Sequence, residues 1–245
     1  MPRLLELFSG TGSIGKAFRQ AGWEVVSLDM DLKAGATITA DFMGWDWTQM
    51  SFEDLVKSKG LPLEGCCGFT TPPNPEDACK YFDCIWASPP CTHYSIARTN
   101  AKTPRDLEGS DRLVQRVLDC IEYFKPTTWF FENPQTGYLK GRRVVEGLRY
   151  KDVSYCVFGF PYRKPTRIWT NSDWEPAAMC TRACPCEISR ETGRHPMTAQ
   201  RAPTKVGGVR RPSCEDKCTQ DQLYSMPPAL CAEICNEATR ALALP

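Results

Sequence analysis

The sequence contains no apolar run long enough to cross a bilayer, so no membrane association is expected. Its start, Met1-Pro2-Arg3-Leu4-Leu5-Glu6, lacks the long apolar core of a secretion signal and leads almost at once into a strand-like segment, so the expected location is intracellular. There is no internal repeat. A net charge of +1 gives no global electrostatic reason for any partner. Histidine is scarce, with only His93 and His195. Cysteine is not: there are fourteen. In an intracellular setting these read as thiols, metal ligands or a catalytic thiol rather than as a disulfide framework. A chain of 245 residues can bury a sizeable core, enough for one large domain or one plus a small one.

The order of elements predicts a doubly wound α/β sheet. Residues 3–8 read as a buried strand, 9–15 as a Gly-rich turn, 14–21 as a helix ending at Gly22, and 24–28 as a second strand followed by Asp29-Met30-Asp31. Residues 37–40 form a short third strand ahead of Asp41. Residues 60–80, rich in Pro, Gly and Cys, read as a long loop. Residues 82–87 form the next strand. Leu113, Val114, Val117, Leu118 and Ile121 recur at helical spacing over 111–124. Further strands are expected at 127–131, 153–158 and 166–170, and a last helix at 228–242.

Two places carry chemistry. The first is the loop with Gly10, Gly12 and Gly15, between a strand and a helix. Such glycines let a ligand approach the backbone, and the helix N-terminus favours an anion. The loop is neither the dinucleotide fingerprint nor a phosphate loop, which needs a following Lys-Ser/Thr. Asp29 stands where an acid holds a ribose, and Asp41 where one contacts a base amine. A nucleoside with a carboxylate-bearing tail fits these parts, and S-adenosylmethionine is such a molecule.

The second is Cys91, behind Pro89-Pro90 at the end of the strand at 82–87, a position suited to a reactive thiol rather than a packing residue. A thiol that adds to C6 of a pyrimidine pushes negative charge toward N3 and O2, and an acid at N3 relieves it. Glu132 is placed to donate there, and Arg167 to hold O2 or a phosphate and depress the thiol pKa. His93, beside the nucleophile, reads as a loop residue lining the pocket.

These segments resemble the cytosine-C5 DNA methyltransferase family, in the style of its short phage- or virus-type members. The matching stretches are Leu5-Glu6-Leu7-Phe8-Ser9-Gly10-Thr11-Gly12, Asp29-Met30-Asp31, Ala40-Asp41-Phe42 and Asp83 through Ser88-Pro89-Pro90-Cys91. Glu132-Asn133-Pro134 and Arg163-Lys164-Pro165-Thr166-Arg167 follow, and Ser225-Met226-Pro227-Pro228-Ala229-Leu230 resembles the family's last motif. The resemblance implies a Rossmann-like S-adenosylmethionine-dependent methyltransferase fold and transfer of a methyl group to C5 of cytosine in DNA, with the base flipped out of the duplex. It implies Cys91 as nucleophile, Glu132 as the acid at N3 and Arg167 as the second arginine of a Gln-x-Arg-x-Arg motif. Phe8, Gly10, Thr11, Gly12, Asp29, Met30, Asp41, Phe42 and Pro89 are the implied cofactor contacts. The chain departs from the family at Thr92, Pro134, Arg163 and Pro165. Methylation of RNA, methylation of an exocyclic amine (suggested by Ser88-Pro89-Pro90) and an idle module binding cofactor and nucleic acid remain alternatives.

Residues 161–212 hold ten basic against four acidic residues, a pattern that suits a phosphate-facing surface. Arg163, Arg194, Arg201 and Arg210 are the candidate nucleic-acid contacts. Cys180, Cys184, Cys186, His195, Cys214 and Cys218 offer more than the four soft ligands of a closed zinc site, which would staple a segment too poor in apolar residues for its own core. The expected organisation is a catalytic domain at 1–172, a small Cys-rich recognition segment at 173–222 and a helix at 223–245 packing back on the catalytic domain, in a monomer acting on DNA.

Overall fold

The computed structural model describes residues 1–49, 81–98, 101–181, 195, 197, 199 and 218–243. The predicted loop at 60–80 lies outside them. Strand β1 (Arg3–Leu7) is buried on both faces from Leu4 to Leu7, Glu6 included, as befits a central strand between parallel neighbours. Helix α1 (Ser13–Gln20), β2 (Glu24–Asp29), β3 (Ile38–Thr39), β4 (Cys84–Ala87), α2 (Leu107–Phe124), β5 (Thr128–Pro134), β6 (Tyr150–Ser154), β7 (Pro165–Thr170), α3 (Gln220–Tyr224) and α4 (Pro228–Leu242) follow.

The strands form one seven-stranded sheet in the order β3-β2-β1-β4-β5-β7-β6. The first five are parallel; β7 runs antiparallel to both β5 and β6. This is the Rossmann-like fold expected of the sequence, with an antiparallel pair at one edge. Side chains alternate across the sheet. Leu4, Trp86, Phe130 and Ile168 pack on one face with Ile14 and Phe18 of α1 and Leu230, Ile234 and Ala238 of α4. Leu5, Ile85, Phe131 and Trp169 pack on the other with Val114, Val117 and Ile121 of α2. Asp106 caps α2 by accepting from the Gly109 amide at 2.7 Å, so the helix begins four residues before its predicted start.

Two expectations need correction. Residues 153–158 were expected to be one strand, but β6 ends at Ser154 and residues Tyr155–Phe158 form a 3₁₀ turn that Gly159 closes at φ 92°. The strand's first half, Tyr150-Lys151-Asp152, is a sheet edge and carries no apolar run to betray it. The strand at 127–131 also runs on through Pro134, because β7 lies alongside and pairs Glu132 with Ile168, Asn133 with Arg167 and Pro134 with Thr166. Among the described residues no helix is long and apolar enough to cross a membrane.

Candidate active site

The loop after β1 is held in a demanding conformation. Phe8, Gly10 and Gly12 all have positive φ, at 58°, 49° and 66°, and Phe8 adopts it despite its side chain. Gly15 is required for a different reason: a Cβ there would lie 2.4 Å from Oε2 of Glu6. The Gly15 amide instead donates to Glu6 Oε1 at 3.0 Å, seating α1 on β1. Burial pushes the Glu6 carboxyl up to about 7 despite that hydrogen bond.

Asp29, at the end of β2, accepts from the Gly10 amide through Oδ2 and from the Asp31 amide through Oδ1, each at 2.8 Å. The carboxylate is thereby fixed beside the glycine loop. Asp41, two residues beyond β3, accepts from the Met43 amide at 3.0 Å. Phe42 is buried, with Phe8 edge-on at 5.1 Å and Trp47 stacked at 5.8 Å. Met30 is exposed at the mouth. The Ser9 hydroxyl is buried with no hydrogen-bond partner among the described residues. The segment before α4 closes on the same place, where the Met226 amide donates to Ser13 Oγ at 3.2 Å and Ser13 Oγ lies 2.8 Å from Thr11 Oγ1. Two fixed carboxylates, an orphaned hydroxyl and flanking apolar side chains are the groups that a nucleoside with an amino-acid tail requires, so these residues fit S-adenosylmethionine.

Cys91 is half-buried in the turn after β4. Its carbonyl accepts from the Tyr94 and Ser95 amides at 3.0 and 2.8 Å. That turn is anchored at several points. Asn133 Nδ2 donates to the carbonyl of buried Pro89 at 3.0 Å, Tyr94 donates to Asp111 at 2.7 Å, and Arg105 donates to the carbonyls of His93 and Ser95. The His93 ring accepts from the Asp106 amide through Nδ1 at 2.8 Å, so it is a loop-bracing residue.

Glu132 leaves β5 on the face of Phe130 and Ile168, and its Oε2 is buried with no hydrogen-bond partner among the described residues. Burial pushes its carboxyl above the ordinary range, and Lys164 offsets part of that rise. The Cys91 thiol is pushed up too, first by burial and then by the negative charge of Glu132, and Lys164 again opposes the rise. Cys91, Glu132 and Lys164 therefore form one electrostatic unit. Lys164 also lies 4.7 Å over the ring of Tyr155 and donates to the Leu223 carbonyl at 3.1 Å.

Arg167 is not brought into this group. It pairs across the sheet with Asn133 and so points to the opposite face from Glu132. Its guanidinium donates two 2.8 Å hydrogen bonds to Asp152 and lies 3.5 Å over the Tyr150 ring. The reason is the direction of β7. Because that strand is antiparallel, its start and not its end meets the end of β5, so Lys164 reaches the sheet edge that carries Cys91 and Glu132, and Arg167 lies deeper. The sequence shows Lys164 inside the later motif, but strand direction is what identifies it.

Among the soft ligands, Cys180 and His195 come together, joined by Cys156, a residue the sequence did not single out; Cys218 is buried but lies outside that trio. Cys184, Cys186, Cys214, Arg194, Arg201 and Arg210 lie outside the described residues. Arg163 is exposed.

Comparison with known proteins places the chain among its relatives. The family model of C-5 cytosine-specific DNA methylases matches residues 2–136, a stretch that includes the glycine loop, Cys91 and Glu132. The chain is 31% identical over 249 residues to "Probable DNA (cytosine-5)-methyltransferase" of Frog virus 3 (isolate Goorha), covering 95% of this chain and 98% of that protein. It is 26% identical over 143 residues to "Type II methyltransferase M.AplI" of Arthrospira platensis, covering 58% of this chain and 34% of that protein. On that match over more than half of its length and that relative over nearly all of it, the chain belongs to the C-5 cytosine-specific DNA methylase family.

Proposed function

We propose that this chain methylates C5 of cytosine in DNA with Cys91 as nucleophile, Glu132 as the acid at N3 and Lys164 as the cation that tunes both. The observation that carries the reading is the buried, orphaned Glu132 carboxyl within electrostatic reach of a half-buried thiol. An unsatisfied buried carboxyl is costly, by about 1–3 kcal/mol, and a partner arriving with substrate explains it.

S-adenosylmethionine, when bound, supplies the methyl group. Phe8, Asp29 and Asp41 would hold it at the ends of β1 to β3. The Cys91 thiol loses its proton to solvent water and the thiolate sulfur bonds to C6 of the flipped base. Ring electrons move toward N3, which takes the proton of Glu132, and C5 becomes nucleophilic. Burial favours the neutral, donating form of Glu132, and a neutral Glu132 does not raise the Cys91 thiol. Once C5 carries the methyl group, solvent water takes its proton, the C5–H electrons form the C5=C6 bond, the sulfur leaves C6 as thiolate, and the Glu132 carboxylate recovers its proton from N3. Lys164 stabilises the Cys91 thiolate and the Glu132 carboxylate, the two anions that appear along the way.

Transfer to an exocyclic amine would leave the paired thiol and carboxyl without a use. The chain would act as a monomer, in the compartment that holds the DNA. The exposed Arg163 would contact the phosphates. The test is transfer of tritiated methyl from S-adenosylmethionine to duplex DNA, single-stranded DNA and RNA, with the product nucleoside identified by mass spectrometry. The expected product is 5-methylcytosine in DNA; N4-methylcytosine, or label in RNA alone, contradicts the reading.

A further inference from the structure

We propose that Cys156, Cys180 and His195 bind a zinc ion that fastens the Cys-rich segment to the edge of the catalytic sheet. The three residues lie on separate stretches of chain, yet their ligand atoms all fall within 4.8 Å of one another. Cys180 Sγ lies 3.6 Å from His195 Nε2. A tetrahedral ion with Zn–S of about 2.3 Å and Zn–N of about 2.0–2.1 Å separates a sulfur from a nitrogen by about 3.6 Å. The spacing is thus that of two ligands sharing one metal. Two thiolates and an imidazole are a donor set that selects zinc over the harder divalent ions.

The surroundings hold these groups in place. Cys156 sits in the 3₁₀ turn that follows β6, where Tyr155 and Phe158 are buried in the core. The Cys180 amide donates to Oγ of Ser154, the fully buried last residue of β6, at 3.2 Å. The Met197 amide donates to the Pro161 carbonyl at 3.0 Å, which runs the His195 strand of chain beside the loop between β6 and β7. Binding releases the two thiol protons and leaves a corner of the tetrahedron for water or a further thiolate. The ion joins the catalytic sheet to a segment whose composition supplies little core. Because Cys156 is next to Tyr155, whose ring underlies Lys164, the metal also braces the wall of the site.

The experiment is metal analysis of the full chain, expressed with zinc in the medium and purified under reducing conditions without chelator. About one zinc per chain is expected, held in Cys120→Ala and lost in Cys156→Ser and in Cys180→Ser. Cobalt(II) added to the metal-free wild-type chain should give a thiolate-to-cobalt charge-transfer band, which keeps the test sound if a variant fails to fold. Three results overturn the proposal: no zinc and no charge-transfer band in the reduced wild type, full zinc retained in the Cys156→Ser/Cys180→Ser double variant, or a Cys156–Cys180 disulfide in the chain purified under reducing conditions.

Discussion

Asn133 reaches from β5 to the carbonyl of Pro89, 44 positions earlier in the chain, and fixes it with a 3.0 Å hydrogen bond inside the protein. Its neighbour Glu132 occupies the other face of the strand, so one dipeptide supplies both the proposed acid and the brace for the loop that carries Cys91. Asn133→Ala should leave the Pro89 carbonyl without a partner and lower stability by about 1–3 kcal/mol. Cofactor affinity should stay unchanged while kcat falls, because the lost contact aims Cys91 and not the donor. Thermal denaturation and a kcat-against-KM comparison check this.

Lys164 is the cation that both Cys91 and Glu132 feel. Lys164→Met should raise the pKa of both groups. The thiol-dependent limb of the pH–rate profile should move to higher pH, and kcat/KM near neutrality should fall several-fold and recover partly at alkaline pH. An unchanged profile would remove Lys164 from the site.

Arg167 and Asp152 form a half-buried bidentate pair on the opposite face of the sheet from Glu132. Arg167→Ala and Asp152→Ala should each lower stability by about 1–3 kcal/mol, with the double variant well short of additive. The melting temperatures of the four proteins test it. A hundred-fold loss of activity in Arg167→Ala at unchanged stability would instead return that arginine to the chemistry.

Glu6 gives a pH dependence of stability. Its carboxyl is pushed from 4.5 up to about 7 in the folded chain, so between those values the folded state binds the more protons. This contribution is present in full below pH about 4.5, and declines as pH rises through about 7, by about 3 kcal/mol in all. Denaturant titrations from pH 4.5 to 8 should show the decline. Glu6→Gln, which keeps the acceptor for the Gly15 amide, should flatten it.

Much of this was legible in the sequence. The glycine loop, the acids after the second and third strands, and Pro89-Pro90-Cys91 each sit at a parallel strand end, where local composition and strand order place a residue without knowledge of distant contacts. What was hidden depends on pairing. The edge-lying first half of β6 has no apolar pattern, so the sequence places the strand too far along, over the buried 3₁₀ turn that follows. The reversed direction of β7 is invisible in its own residues, and it is what sends Arg167 to Asp152 and Lys164 to the catalytic edge. Cys156, lying in a buried apolar stretch, reads as packing until Cys180 and His195 arrive beside it.

The central claim is that the Cys91 sulfur bonds to the cytosine ring under the influence of the Glu132 acid. The most direct measurement is incubation with S-adenosylmethionine and a DNA duplex bearing 5-fluorocytosine, whose fluorine blocks release of the covalent complex, followed by peptide mapping. The account predicts a stable protein–DNA adduct on Cys91, absent in Cys91→Ser and slowed about 10²–10⁴-fold in Glu132→Gln. Methyl transfer to unmodified DNA by Cys91→Ser, or an adduct on another residue, would contradict it.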